Sequence, residues 1–216
     1  MAMTKAEQMA FMVESGVTAV LRAKDSSQLV QVAEAIEAGG VVSIEVTMTT
    51  PNALAVINEV AKTMGDRVLI GVGSVLDPET ARAAILAGAE FVVSPTLNLD
   101  TIQLCRRYSK TVIPGAFTPT EILTAWEAGA DFVKVFPATA LGPKYIKDVK
   151  APLPQVELVP TGGVSADNAG EFIRMGAAMV AAGSSLVDKT ALAEGKFDVI
   201  TATAEKFVAN IKEARA

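Results

Sequence analysis

The sequence predicts an α/β protein, a (β/α)8 barrel of the TIM type with an extra helix at its N terminus. Three observations predict it. Short β-branched runs alternate with apolar-periodic helices along the chain, a helix–glycine–strand unit recurs, and polar residues stand before proline where helices should begin. The recurring unit is EAIEAGGVVSIEV (34 to 46), AILAGAEFVVSP (84 to 95), AWEAGADFVKVFP (125 to 137) and FIRMGAAMVAAGS (172 to 184). In each, an apolar-periodic helix stops at glycine and a β-branched strand follows.

Taken in order, residues 1 to 15 alternate polar and apolar positions at helical spacing and form the extra helix, placed to close the barrel bottom. Between the repeated units, further strands fit Thr18 to Arg22, Val68 to Gly73, Thr111 to Gly115 and Val156 to Thr161, which brings the total to eight. These strands are nearly continuous in apolar residues, as parallel strands covered on both faces are. Thr50-Pro51, Asp77-Pro78 and Thr118-Pro119 each place an N-cap side chain before a first-turn proline, and Thr118 to Glu121 spells a capping box. Residues 192 to 216 are the last helix. No linker interrupts the pattern, so residues 1 to 216 are read as one domain. The same alternation can build an open doubly wound sheet, but no G-x-G-x-x-G follows the first strand and eight strands suit closure.

Composition removes several function classes. A formal net charge of -5 and no basic run leave no footprint for nucleic acid or an anionic membrane, so any anionic ligand must be held locally. No window is a signal peptide or a transmembrane span, and a cytoplasmic location is expected. A hydrophobic fraction of 50% points to apolar surface covered in a homo-oligomer. The single cysteine, Cys105, forms no internal disulfide and reads as a small core residue. There is no histidine, which removes Ser-His-Asp and Cys-His triads and argues against a zinc mechanism.

The stretch DFVKVFPA (131 to 138) reads as a buried strand with a lysine at its centre. Strand parity puts Phe132, Lys134 and Phe136 on one face and Val133 and Val135 on the other, toward the helices. Burial strips hydration from an ammonium group and favours the neutral amine. A neutral amine attacks ketones. The same parity sends Glu45 of VVSIEVT inward, and Arg22 ends the inward row of the first strand. Three ionisable groups thus converge near the C-terminal ends of strands one, two and six, where barrel active sites lie. The structural alternative is a buried ion-pair cluster, or a lysine whose head escapes to water.

Pro160-Thr-Gly-Gly-Val164 follows strand seven and Ala182-Gly-Ser-Ser185 follows strand eight. Loops there commonly bind phosphate in this fold, through exposed backbone N–H groups. Gly162, Gly163 and Gly183 would let the backbone approach, and Ser184 adds a hydroxyl. Gly71-Val-Gly-Ser74 and Ser94-Pro95 end strands three and four, where they read equally well as pocket lining or as ordinary turns.

The chain resembles the 2-keto-3-deoxy-6-phosphogluconate (KDPG) and 4-hydroxy-2-oxoglutarate (KHG) aldolases. EVT (45 to 47), GVGSVL (71 to 76), FVVSP (91 to 95), PGAFTPTEI (114 to 122), FVKVFPA (132 to 138), GPKYIK (142 to 147), PTGGV (160 to 164) and GSSL (183 to 186) carry the resemblance in order. It implies a metal-independent class I aldolase needing no cofactor, usually a homotrimer, that cleaves a phosphorylated 2-keto-3-deoxy acid to pyruvate and glyceraldehyde 3-phosphate. Lys134 matches the Schiff-base lysine and Glu45 the general acid/base. Pro95, Phe136 and Thr161 match pocket positions, and Gly162, Gly163, Gly183 and Ser184 the phosphate site. Two positions depart from the family pattern. Thr49 stands where an arginine usually binds the pyruvate carboxylate, and Ser74 where threonine is common. Ala19-Val-Leu-Arg22 looks like the version in which an arginine ends strand one, and Arg22 is the expected clamp, because its planar fork pairs bidentately with carboxylate. Other readings stay open: an aldolase for the galactonate epimer, a phosphate-binding isomerase or epimerase using Glu45 as base, and an inactive binding or scaffold homologue.

Overall fold

The computed structural model describes residues 3–22 and 28–216. Strands and helices alternate through them: α1 (Lys5–Ser15), β1 (Val17–Leu21), α2 (Leu29–Ala38), β2 (Ser43–Thr47), α3 (Ala53–Met64), β3 (Leu69–Gly73), α4 (Pro78–Ala87), β4 (Phe91–Val93), α5 (Leu99–Arg107), β5 (Thr111–Ile113), β6 (Gly115–Ala116), α6 (Pro119–Glu127), β7 (Val133–Val135), α7 (Gly142–Lys150), β8 (Leu158–Pro160), α8 (Ala166–Arg174), β9 (Val180–Ala182), α9 (Lys189–Ala193) and α10 (Phe197–Arg215). A short 3-10 turn at Ala138–Ala140 precedes α7.

Every strand pair is parallel. One sheet runs β5-β4-β3-β2-β1-β9 and the other β6-β7-β8. The break between them falls within the strand expected over Thr111 to Gly115, at Pro114. Proline has no N–H to give a ladder. Its carbonyl still accepts from Lys134 N at 2.9 Å, so the chain changes partner there, from β4 on one side to β7 on the other. A lone parallel bridge, Thr161 with Ala181, joins the end of β8 to β9.

Side-chain parity sorts the strands into two apolar layers. Ile44, Val46, Ile70, Val72, Val133 and Val135 pack with the helices, among them Val32, Ile57 and Phe207. Leu69, Phe91, Val93, Ile113, Phe132, Val159 and Met179 fill the opposite, inner face together with Met12 of α1. Cys105 is fully buried in the outer layer, and burial pushes its thiol up to about 12, so it behaves as the core residue its helix suggested.

Polar contacts pin α1 over the N-terminal ends of the inner strands. Gln8 Nε2 donates to Glu90 Oε2 at 2.6 Å, Lys110 Nζ donates to the same oxygen at 2.6 Å, and Lys5 pairs with Asp131 at 2.8 Å. Among the described residues, no helix is long and apolar enough to cross a membrane.

Two of the three proline signals start helices as expected. Asp77 Oδ1 accepts from Thr80 N at 2.6 Å ahead of α4, and Thr118 with Glu121 closes a capping box ahead of α6. Thr50-Pro51 does not. The Thr50 hydroxyl turns back toward that of Thr47, at 3.4 Å, and α3 begins only at Ala53, after Asn52 in a left-handed conformation with φ 55. The last helix, expected over 192 to 216, is two helices, because Gly195 with φ 66 breaks it between α9 and α10.

Candidate active site

All five residues of β2 are buried. With Ile44 and Val46 committed to the helix layer, Ser43, Glu45 and Thr47 face inward. Ser43 shares a hydrogen bond of 2.8 Å with the Thr18 hydroxyl of β1, which fixes the row below Glu45. Thr47 shares one of 2.9 Å with Thr49, which fixes the row above. Glu45 itself is 1% exposed and lies level with Val20 of β1 and Gly71 of β3.

The glycines of GVGS have a spatial reason rather than a turn reason. A Cβ on Gly73 would overlap the Glu45 carboxyl, and one on Gly71 would strike the Phe91 ring. Both positions are emptied so that inward side chains can lie across β3. Ser74 then follows in the left-handed region with φ 58, a strained position for a residue with a side chain.

Lys134 occupies the inward position of β7, level with Gly115 and Val159, and is 6% exposed. A Cβ on Gly115 would collide with the Pro95 carbonyl, so the strand beside Lys134 is pressed against the β4 loop. Phe132 sits in the inner apolar cluster beneath the lysine, and the Lys134 ammonium lies 5.0 Å from the centroid of the Phe136 ring.

Glu45 is raised above its ordinary carboxylate value. Burial is the larger cause, and the charges of Lys134 and Arg22 oppose it. Lys134 and Arg22 are therefore each within electrostatic range of Glu45. The arrangement holds an amine beside a carboxyl that keeps its proton more readily than a surface acid, as acid/base exchange requires. Arg22 is exposed, one residue beyond β1, and so acts from the mouth rather than from the interior.

A cavity of about 390 Å3 opens at this end. Arg22, Phe136, Thr161, Gly162, Gly163, Gly183 and Ser184 line it, together with Val20, Ser185, Val187, Lys189 and Leu192. Gly162 and Gly163 have φ 91 and 71, which only glycine adopts easily, and a Cβ on Gly163 would press the Thr139 backbone at 2.9 Å. Ser185 Oγ donates to Val164 O at 2.6 Å, and Asn168 Nδ2 donates to Gly163 O at 2.9 Å, so the loops after β8 and β9 are tied together.

Thr49, Ser74 and Pro95 stand at the ends of β2, β3 and β4 but not on this wall. Ser185, Val187, Lys189 and Leu192 are wall residues that sequence reasoning missed. Lys189 belonged to no motif, and its basic charge was the only available signal. A second cavity of about 430 Å3, lined by residues such as Phe11, Val42 and Ile211, lies between α1 and α10 and holds none of the expected site residues.

The profile of the KDPG and KHG aldolase family matches residues 9–203. The chain belongs to this family. It is 36% identical over 169 residues, 78% of this chain and 82% of the relative, to the 2-dehydro-3-deoxy-6-phosphogalactonate aldolase of Escherichia coli K12. To the KHG/KDPG aldolase of the same strain it is 33% identical over 197 residues, 91% and 92% of the two chains. Among solved structures, KDPG aldolase from Legionella pneumophila, with pyruvate captured as a covalent carbinolamine, superposes with a TM-score of 0.85 at 30% identity, covering 92% of this chain and 96% of that one. This aldolase-family chain thus shares sequence and fold with proteins named for both C4 epimers.

Proposed function

We propose that the chain is a class I aldolase that cleaves a 2-keto-3-deoxy-6-phospho sugar acid to pyruvate and glyceraldehyde 3-phosphate, and that also cleaves 4-hydroxy-2-oxoglutarate to pyruvate and glyoxylate. The observation that carries this is the placement of buried Lys134 and buried Glu45 within electrostatic range at one end of the parallel strands. The Legionella carbinolamine supports the same covalent chemistry, since a carbinolamine is an amine added to a ketone.

In this reading the Lys134 amine adds to the C2 ketone, Glu45 gives its proton to the departing hydroxyl, and loss of water leaves an iminium. Glu45 takes the C4 hydroxyl proton. The C3–C4 bonding pair then flows into the iminium, releasing the aldehyde and leaving an enamine of pyruvate. Glu45 returns a proton to C3, and water hydrolyses the iminium to free the amine and pyruvate. The iminium is the electron sink, so the scheme needs no metal and no cofactor. Arg22 clamps the carboxylate, Thr49, Ser74 and Pro95 shape the rim at the strand ends, and Phe136 and Thr161 wall the keto acid. Gly162, Gly163, Gly183 and Ser184 receive the phosphate.

The test is reduction with borohydride in the presence of pyruvate, which is expected to add a stable three-carbon acid to Lys134, alongside pyruvate release from KDPG coupled to lactate dehydrogenase. A label elsewhere, or none, overturns the assignment. Identity to the E. coli phosphogalactonate aldolase favours a second reading, the galactonate epimer as preferred substrate. Comparing kcat/KM for the two epimers separates them.

The molecular frame belongs to the same proposal. The two sheets are read as one closed (β/α)8 barrel, interrupted at Pro114 and completed by the Thr161–Ala181 bridge, with α1 as the extra helix and residues 1 to 216 as one domain. Leu76 and Phe117, at 61% and 40% exposure on the loops after β3 and β6, and Leu99, at 44% exposure at the start of α5, support a homotrimer in which they are covered. A cytoplasmic location fits the composition.

A further inference from the structure

Lys189 opens α9 and lines the same cavity as Arg22, Gly162, Gly163 and Gly183. Among the described residues, Arg22 and Lys189 are the charged side chains on that wall, and none of the residues named there is a carboxylate. In a chain of formal net charge -5, these two cations oppose the overall sign of the molecule locally. Among the described residues Lys189 takes part in no salt bridge. Its neighbour Asp188 forms no ion pair with it, and that carboxylate turns into the start of α9, accepting from Thr190 N and Ala191 N at 2.9 and 2.8 Å.

The two cations are not equivalent. Arg22 acts on Glu45, and Lys189 is not among the charges that do. Arg22 lies just beyond Val20, the β1 residue that pairs with Glu45, whereas Lys189 follows the loop after β9 at the start of α9. A phosphate carries about -1.5 to -2 charges at neutral pH, more than the partial charges of backbone N–H groups balance, and an ammonium serves it as a point charge.

We propose that Lys189 is a specificity-determining residue, the cation that selects for a terminal phosphate on the substrate and leaves Arg22 for the carboxylate beside the ketone. This rests on the aldolase reading above and assigns its phosphate preference to a particular side chain.

Titration calorimetry with inorganic phosphate at low salt compares wild type, Lys189→Gln and Lys189→Arg. The Gln variant is expected to bind phosphate about tenfold more weakly, the scale of one charge-assisted hydrogen bond, with most of the affinity restored by Arg. The ratio of kcat/KM for KDPG over 4-hydroxy-2-oxoglutarate should fall by a similar factor in the Gln variant, mainly through KM. Equal phosphate affinity in wild type and Lys189→Gln, or no phosphate binding by wild type, overturns the proposal, as does an unchanged ratio. If phosphate binding weakens as expected but wild type cleaves no keto acid, the aldolase reading falls while the anion site at Lys189 stands.

Discussion

Glu45 shows at the scale of one residue how burial becomes chemistry, and the cost can be measured. Its folded-state value lies above the ordinary carboxylate value, so the folded protein retains a proton that the unfolded chain releases. Below the ordinary carboxylate range both states carry the proton and the stabilising contribution is complete; it is lost as pH rises through the raised folded value. Glu45→Gln, a neutral isostere, is therefore expected to melt above wild type at neutral and alkaline pH, with the gap closing toward acid. Melting curves of both proteins across that range check it, and a gap that is constant or reversed rejects it. The variant should also lose pyruvate release. On the aldolase reading proposed above, Glu45 would trade fold stability for turnover, as selection for a site rather than for stability does.

At the scale of the element, helix starts follow local chemistry where the cap is free to act. Asp77 reaches Thr80 N, and that hydrogen bond is the main cause that holds its carboxyl below the ordinary value. Asp77→Ala should cost about 1 kcal/mol, typical of a lost N-cap. Because the cap is an ionised carboxylate with a depressed folded value, its contribution is present above the unfolded value and lost as pH falls through the folded one. The difference between variant and wild type in urea titrations should therefore shrink on acidification, and a difference independent of pH counts against the carboxylate as the cap. Thr50-Pro51 presents the same local signal and fails, since the Thr50 hydroxyl turns toward Thr47, a preference set by the strand end and not by the dipeptide. Pro114 is the converse case. Its missing N–H was visible in the sequence, but which neighbours the two halves of the strand would pair with was not.

For the whole molecule, the exposed loops after β3, β4 and β6 carry the consequence. Asn98 Nδ2 donates to Leu76 O at 3.2 Å, which ties the loop after β4 to the loop after β3. If this patch is the homotrimer contact, Leu76→Lys with Leu99→Lys should sediment as a smaller species than wild type at the same concentration, because two charges in an apolar contact are costly to desolvate. Unchanged sedimentation removes the patch from the interface.

What the sequence determined by itself was everything that local periodicity encodes. Parity placed Val133 and Val135 outward and Phe132 and Lys134 inward, and the strand pattern of β2 did the same for Glu45, because alternation in an extended chain needs no knowledge of neighbours. The glycine loop after β8 was legible for a similar reason, since Gly162 and Gly163 supply backbone that turns left-handed. Only the tertiary structure decided what lies across from what. It emptied Gly73 for the Glu45 carboxyl, took Arg22 from the interior to the cavity mouth, and set Lys189 on the same cavity wall from far along the chain. Those relations are made by strand register and loop packing between segments distant in sequence, and a side chain's charge is no guide to the partner that folding brings to it.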